Sequence, residues 1–99
     1  MNVLFSEDAD ADLESIQAYI RRDNPERALT FARDLALAAI AIGDVPEAYP
    51  RLGSATDPDL RRKTHGSYLI IDRIRAQVDI VRILHGAHDI LRLFGERSP

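Results

Sequence analysis

The chain holds no cysteine. That absence excludes disulfides, a thiolate nucleophile and any cysteine-ligated zinc. It fits a reducing cytoplasm, which is the expected location. No apolar run approaches the roughly 20 residues needed to cross a bilayer, so no membrane partner is expected. The N-terminus, Met1-Asn2-Val3-Leu4-Phe5-Ser6-Glu7-Asp8, has no basic start and turns acidic at once, unlike a signal peptide. Lysine is nearly missing too, with Lys63 the only one. Repeats and low-complexity segments are absent.

What is present reads as one domain of 99 residues. A hydrophobic fraction of 45% argues against disorder, since that much apolar surface can build a core. The net charge of −3 conceals a polarity. Residues 1–50 carry four arginines against ten acids, and residues 51–99 carry nine basic residues against six acids. The acidic half argues against a general nucleic-acid coat. The basic half leaves room for one local positive surface, suited to phosphate or to an acidic partner protein.

Asn2 to Phe5 is a short apolar run and predicts a first strand. Ser6 is placed to cap a helix running to about Arg22, with Glu7 and Asp8 in its first turn, where carboxylates favour the helix dipole. Ala9, Leu13, Ile16 and Ile20 share one face. Asp10, Asp12, Glu14 and Gln17 are expected in solvent. Asp23-Asn24-Pro25 breaks the pattern, with Asn24 as cap and Pro25 at the first position of a second helix, where a missing N–H costs nothing. That helix covers about Pro25 to Ile42 and presents a broad alanine-rich stripe, which implies close approach in an antiparallel hairpin. Gly43 is expected to end it as a C′ residue. Asp44 to Leu60 has no period and is long for a connection; Tyr49 and Leu52 are expected to pin it to the core.

From Leu60 the pattern turns to strands. Leu60 to Thr64 predicts a basic edge strand, a composition that discourages edge pairing. His65-Gly66 predicts a two-residue hairpin turn, and Tyr68 to Ile74 the next strand. Val78-Asp79-Ile80-Val81-Arg82-Ile83-Leu84-His85 is short, apolar and rich in β-branched residues, as in a strand buried on both faces. Asp89 to Phe94 predicts a final helical turn or tail. The order β-α-α-β-β-β gives an α+β fold, a helical hairpin packed on one face of an antiparallel sheet. The first strand is expected to return to that sheet, because alone it would leave its N–H and C=O groups unmet.

Chemistry-bearing residues are few. His85 and His88 lie three apart, but Gly86 breaks the strand between them and no carboxylate pattern completes a metal site, so no metal is expected. His65 reads as a turn residue able to adopt positive φ. No Ser-His-Asp order, glycine-rich phosphate loop or paired-carboxylate site stands out, so no catalytic residue and no cofactor are assigned. The remaining constellation is basic: Arg61, Arg62, Lys63, Arg73, Arg82 and His85, from three consecutive strands. On the open face of a sheet they could gather and cradle a phosphodiester. The other reading is a solvated face with a buried Arg82–Asp pair. An arginine inside a buried strand needs a partner, an opening to water or a task, because its guanidinium keeps its charge. The open face also carries aliphatics, so either the C-terminal segment or a partner chain is expected to cover it.

The pieces in order resemble the ParE branch of the ParE/RelE toxins of bacterial type II toxin–antitoxin modules. Val3-Leu4-Phe5-Ser6 with Ala9-x-x-x-Leu13-x-x-Ile16-x-x-Tyr19-Ile20 is similar to the family's first strand and helix. Asp23-Asn24-Pro25-x-x-Ala28 resembles its second helix start, and Pro46-x-x-Tyr49-Pro50-Arg51 its proline-bearing loop. Leu60-Arg61 through Gly66-x-Tyr68-Leu69-Ile70 resembles its second and third strands. Val81-Arg82-Ile83-Leu84-His85-Gly86-Ala87-His88-Asp89 follows its terminal strand signature. The resemblance implies the same β-α-α-β-β-β fold and a cognate ParD-like antitoxin, hence a hetero-oligomer. For ParE-like members it implies inhibition of DNA gyrase by binding, without enzymatic activity or sequence-specific nucleic-acid recognition. For RelE-like members it implies ribosome-dependent mRNA cleavage. Partner contacts are expected from Arg61, Arg62, Tyr68, Arg73, Arg82 and His85. The chain departs from the RelE pattern in having tyrosine only at positions 19, 49 and 68 and a single lysine. It departs from the ParE pattern at Asp72, where an aromatic is common, and at His88, where arginine is common. A family member that binds antitoxin but poisons nothing is the third alternative.

Overall fold

The computed structural model describes residues 1–54 and 56–86. The chain enters as a short strand, β1 (Val3–Phe5), and turns at Ser6 into α1 (Glu7–Arg21). The turn is fixed by a cap: Ser6 Oγ accepts the Ala9 N–H at 2.9 Å, which satisfies one of the donors a helix start leaves open. Asn24 does the same for α2 (Pro25–Ile40), accepting the Arg27 N–H at 3.1 Å, and Pro25 takes the first helical position. Two 3-10 turns follow, Ala41–Asp44 and Pro46–Ala48, and then β2 (Arg61–His65), β3 (Tyr68–Ile74) and β4 (Val78–His85). The expected helical turn over Asp89–Phe94 lies outside the described residues, as does His88.

The strands form one sheet in the order β1-β4-β3-β2. β2, β3 and β4 pair antiparallel, as the short links between them require. β1 does return to the sheet, but it lies parallel to β4, so the sheet is mixed rather than antiparallel throughout. The physical reason is chain direction. The helical hairpin is a long crossover, and a crossover of that length can bring a parallel partner alongside.

The helical hairpin packs on one face. Ala9 and Ile16 of α1 meet Leu35 and Ala39 of α2, with Ile42, over Ile70, Val78, Ile80 and Ile83 of the sheet. Alanines at 9, 28 and 39 are fully buried and leave no bulk between the helices. Each of the large aliphatics in this layer stabilises the fold by about 1.5–3 kcal/mol through removal from water. The other face is not bare. Leu60, Ile71 and Leu84 form a second buried cluster, flanked by Leu52, Leu69 and Val81. Part of its cover is the chain's own connection, residues 49–60. Leu52 N–H donates to Leu60 O at 2.8 Å, Arg62 N–H donates to Pro50 O at 3.0 Å, and Arg51 bridges Arg61. This strap therefore runs along the outer edge of β2. Tyr49 and Leu52 pin it to the first and second clusters respectively.

A bulge explains why β4 is apolar on both parities. Ile71 pairs with Arg82 but Asp72 pairs with Ile80, which leaves Val81 as the extra residue. Ile80 and Ile83 thereby both reach the helix-side core.

Two local expectations are corrected. The hairpin turn is Gly66-Ser67, since His65 pairs with Tyr68 as a strand residue. Only Gly66 of the two carries positive φ, at +61°, so the conformation expected of His65 is supplied by the glycine. Gly43 is not a left-handed C′ residue. It is buried within the 3-10 turn, where a Cβ would lie 2.3 Å from Met1 O and 2.9 Å from Val3 Cγ2. The Met1 amino group donates to Gly43 O at 2.9 Å. Glycine is needed there for close backbone approach, which seats the start of β1. Gly43→Ala is accordingly expected to lower stability by about 1–3 kcal/mol, the usual range for overpacking, read as a drop in urea midpoint at unchanged m-value.

Candidate interaction site

The basic constellation does not assemble into one patch. Cross-strand register sorts it by face. Arg61 lies opposite Asp72 and Tyr68 opposite His85, in rows that share the helix side of the sheet. Arg62 lies opposite Ile71 and Arg73 opposite Asp79, on the other side. Arg82 sits at the bulge and reaches over the edge of β4.

That edge is where the arginine finds its partner. β1 accompanies β4 only as far as the Phe5–Ile80 pair. Beyond it the backbone of β4 is met by α1 and its cap. Ser6 Oγ donates to Val81 O at 2.9 Å, and Asp12 Oδ2 accepts the Ile83 N–H at 2.8 Å. The same Asp12 carboxylate takes Arg82 through both oxygens, from Nε at 2.8 Å and from Nη2 at 2.9 Å. This is the bidentate fork that guanidinium geometry favours. The side chains are 26% and 14% exposed, so the pair is shielded from much of the solvent screening that weakens surface ion pairs. Asp12 was expected in solvent; it is instead held at the helix–sheet seam. The sequence carried a usable signal, because Asp12 falls three after Ala9 and four before Ile16, on the margin of the buried face.

The other basic groups also have intramolecular engagements. Arg73 pairs with Asp57 of the strap, and this hydrogen bond holds the Asp57 carboxyl below its ordinary range. Arg61 Nη1 donates to Tyr49 O at 2.7 Å. Lys63 Nζ donates to Ala38 O at 2.8 Å near the end of α2 and stands 5.1 Å from the Tyr49 ring centroid. Tyr68 and His85 join an aromatic row that the sequence reading missed. Tyr68 meets His85 edge-on at 5.0 Å and Phe31 at 5.4 Å, Phe31 meets His65 at 6.1 Å, and Arg27 lies over Phe31 at 5.2 Å. Of the six expected contact residues, His85 is the exposed one and the others are partly covered.

Two surface features stand out besides. A groove of about 450 Å³ runs between β1 and the β3–β4 turn, lined by Leu4, Phe5, Arg73, Arg75, Asp79 and Val81 among others. Arg75 and Asp79 face each other across part of it at 3.7 Å. On the outer side of the helices, Tyr19, Leu29, Leu37 and Ile40 are exposed, with Val45 beyond them. Among the described residues no group of three acidic, histidine or cysteine side chains is placed to hold a metal ion. No helix among them is long and apolar enough to cross a membrane.

Asp72 is the anomaly of the site. It is fully buried, and neither carboxyl oxygen has a hydrogen-bond partner. Burial raises its pKa from 3.8 to about 6, against the opposing field of Arg61.

The chain matches known proteins over most of its length. The family model for the ParE toxin of type II toxin-antitoxin system, parDE, matches residues 3–90. Among solved structures, the chain is similar to the chromosomal ParDE TA system from P. aeruginosa, with a TM-score of 0.77 and 22% identity over 87% of this chain and 96% of that chain. At that identity the likeness shows a shared fold. No curated protein matches the chain at a significant level.

The Asp72 carboxyl has a testable energetic consequence. Its folded pKa lies above the unfolded one, so below about pH 4 both states are protonated and burial carries no ionic penalty. As pH rises the unfolded chain ionises first, and folding stability falls until pH passes about 6. The loss is on the order of 3 kcal/mol by linkage. Asp72→Asn is expected to abolish this slope between pH 4 and pH 6.5, as measured by urea unfolding at a series of pH values.

Proposed function

Because the chain belongs to the ParE toxin family of type II toxin–antitoxin systems, we propose that it is a cytoplasmic toxin that inhibits DNA gyrase by binding it. In this reading it performs no chemistry of its own. A cognate ParD-like antitoxin neutralises it in a hetero-oligomer, and the whole chain acts as a single ParE-like domain. The observation that carries the non-enzymatic reading is the dispersal of the basic groups. Arg61, Lys63, Arg73 and Arg82 each hold a group of this same chain, on two faces and one edge of the sheet. A phosphodiester-cleaving site needs such groups converged on one point. A binding surface needs only complementary relief, and the groove beside Leu4, the exposed Tyr19 of α1 and the exposed aliphatics of α2 supply apolar relief of that kind.

The six proposed contacts remain Arg61, Arg62, Tyr68, Arg73, Arg82 and His85. His85 is the most accessible of them. A second reading, ribosome-dependent mRNA cleavage, draws on the Tyr68–His85 contact, where a phenol and an imidazole meet. A third is an antitoxin-binding module without toxicity.

A gyrase assay with the purified full chain separates these readings. The expected result is loss of plasmid supercoiling with accumulation of cleaved DNA, reversed by stoichiometric antitoxin. His85→Ala is expected to weaken inhibition about tenfold, equivalent to about 1.4 kcal/mol of contact, with an unchanged melting temperature. Unaffected supercoiling together with mRNA cut at the ribosome would establish the second reading. Antitoxin binding without growth arrest would establish the third.

A further inference from the structure

Asp72 and Arg61 are direct cross-strand neighbours on the helix side of the sheet. Side chains so placed lie within reach of each other, with Cβ atoms about 4.5–5.5 Å apart. Yet they form no ion pair. The Arg61 guanidinium turns instead to the strap and donates to Tyr49 O. The carboxylate is left fully buried with both oxygens unmet. Among the described residues no other charged group acts on it appreciably. Its partner on β4 is Ile80, and α1 and α2 contribute Ala9, Ile16, Leu35, Ala39 and the following Ile42 to that layer. Lys63, on the same face of β2, is held by Ala38 O.

We propose that Asp72 and Arg61 form a proton-operated clasp on the strap of residues 49–60. In the protonated state the neutral carboxyl tolerates burial, and Arg61 holds the Tyr49 carbonyl. In the ionised state the carboxylate draws the guanidinium onto itself, because an unpaired buried charge costs far more than a hydrogen bond to a carbonyl. Tyr49 O is then released, and the strap keeps one backbone bond to β2, Arg62 N–H to Pro50 O, its internal Leu52 N–H to Leu60 O bond and the Asp57–Arg73 ion pair. With Arg61 turned to Tyr49 O, burial raises the Asp72 pKa to about 6; capture of Arg61 by the ionised form places the exchange at or below that value, so that at neutral pH the carboxylate is ionised and paired. At neutral pH the strap is the looser of its two forms, and the outer edge of β2 is the more available. The device does not depend on which target the chain binds.

The test is an NMR titration of the purified full chain between pH 4.5 and pH 8, following the Asp72 side-chain carboxyl carbon and the backbone amides of Leu52 and Arg62. The expected result is that both amides move with the midpoint of the Asp72 carboxyl, at or below about pH 6. Asp72→Asn removes that inflection. Arg61→Gln raises the Asp72 midpoint above that of the parent chain, because the ionised form loses its partner, and uncouples the two amides from it. Hydrogen exchange at Leu52, corrected for intrinsic rates, is expected to quicken at least about fivefold from pH 5 to pH 7.5 in the parent chain alone. The clasp is overturned if Arg61→Gln leaves the Asp72 midpoint where it was. It is equally overturned if the amides keep their inflection in either variant.

Discussion

One carboxylate joins the two layers of this protein. Asp12 projects from α1 and meets both the Ile83 N–H and the Arg82 guanidinium of β4. Its position answers a problem set by the topology. β1 is three residues long and β4 is eight, so much of β4 outruns its parallel neighbour. An edge left that way carries unmet backbone groups and invites pairing with other chains. Ser6 and Asp12 occupy it instead, one as the cap of α1 and the other nearly two turns further along. The residue that starts the helix and the residue that anchors it both bind the same strand. The angle at which the hairpin crosses the sheet follows from those two points as much as from apolar packing.

With β4 so held, the rest of the sheet can be covered on both faces. The helices fill one face. The strap closes part of the other and also protects the outer edge of β2, so that strand is shielded by backbone hydrogen bonds as well as by its basic side chains. Four of the charges that sequence alone suggests as a patch are consumed in this construction. Arg82 braces the seam, Arg73 ties down the strap through Asp57, Arg61 holds its start, and Lys63 holds the end of α2. On the proposed binding reading, the surface left for a partner is the apolar relief and the aromatic row at the β2–β3 turn.

The elements and their order were legible because each is announced locally. Ser6 and Asn24 cap as their sequence context indicates, and the apolar period of α1 names the residues that face inward. The family signature in residues 81–89 pointed to the same fold. What escaped reading depends on contacts distant in sequence. Asp12 and Arg82 are 70 residues apart, and only the folded chain makes them a pair. The parallel run of β1 depends on where the crossover lands. The bulge at Val81 decides which face each later residue of β4 takes, and a period-two pattern cannot show it. Gly43 looked like an ordinary helix stop, because the Met1 carbonyl that excludes a side chain there comes from the far end of the hairpin.

The seam can be interrogated directly with a double-mutant cycle on Asp12→Ala and Arg82→Ala, using unfolding free energies of the purified chain. If the carboxylate and the guanidinium brace each other across the layers, the two changes are strongly non-additive, with a coupling energy of about 1.5 kcal/mol or more. Additivity to within about 0.5 kcal/mol would contradict the latch and would return Arg82 to the set of groups available for a partner.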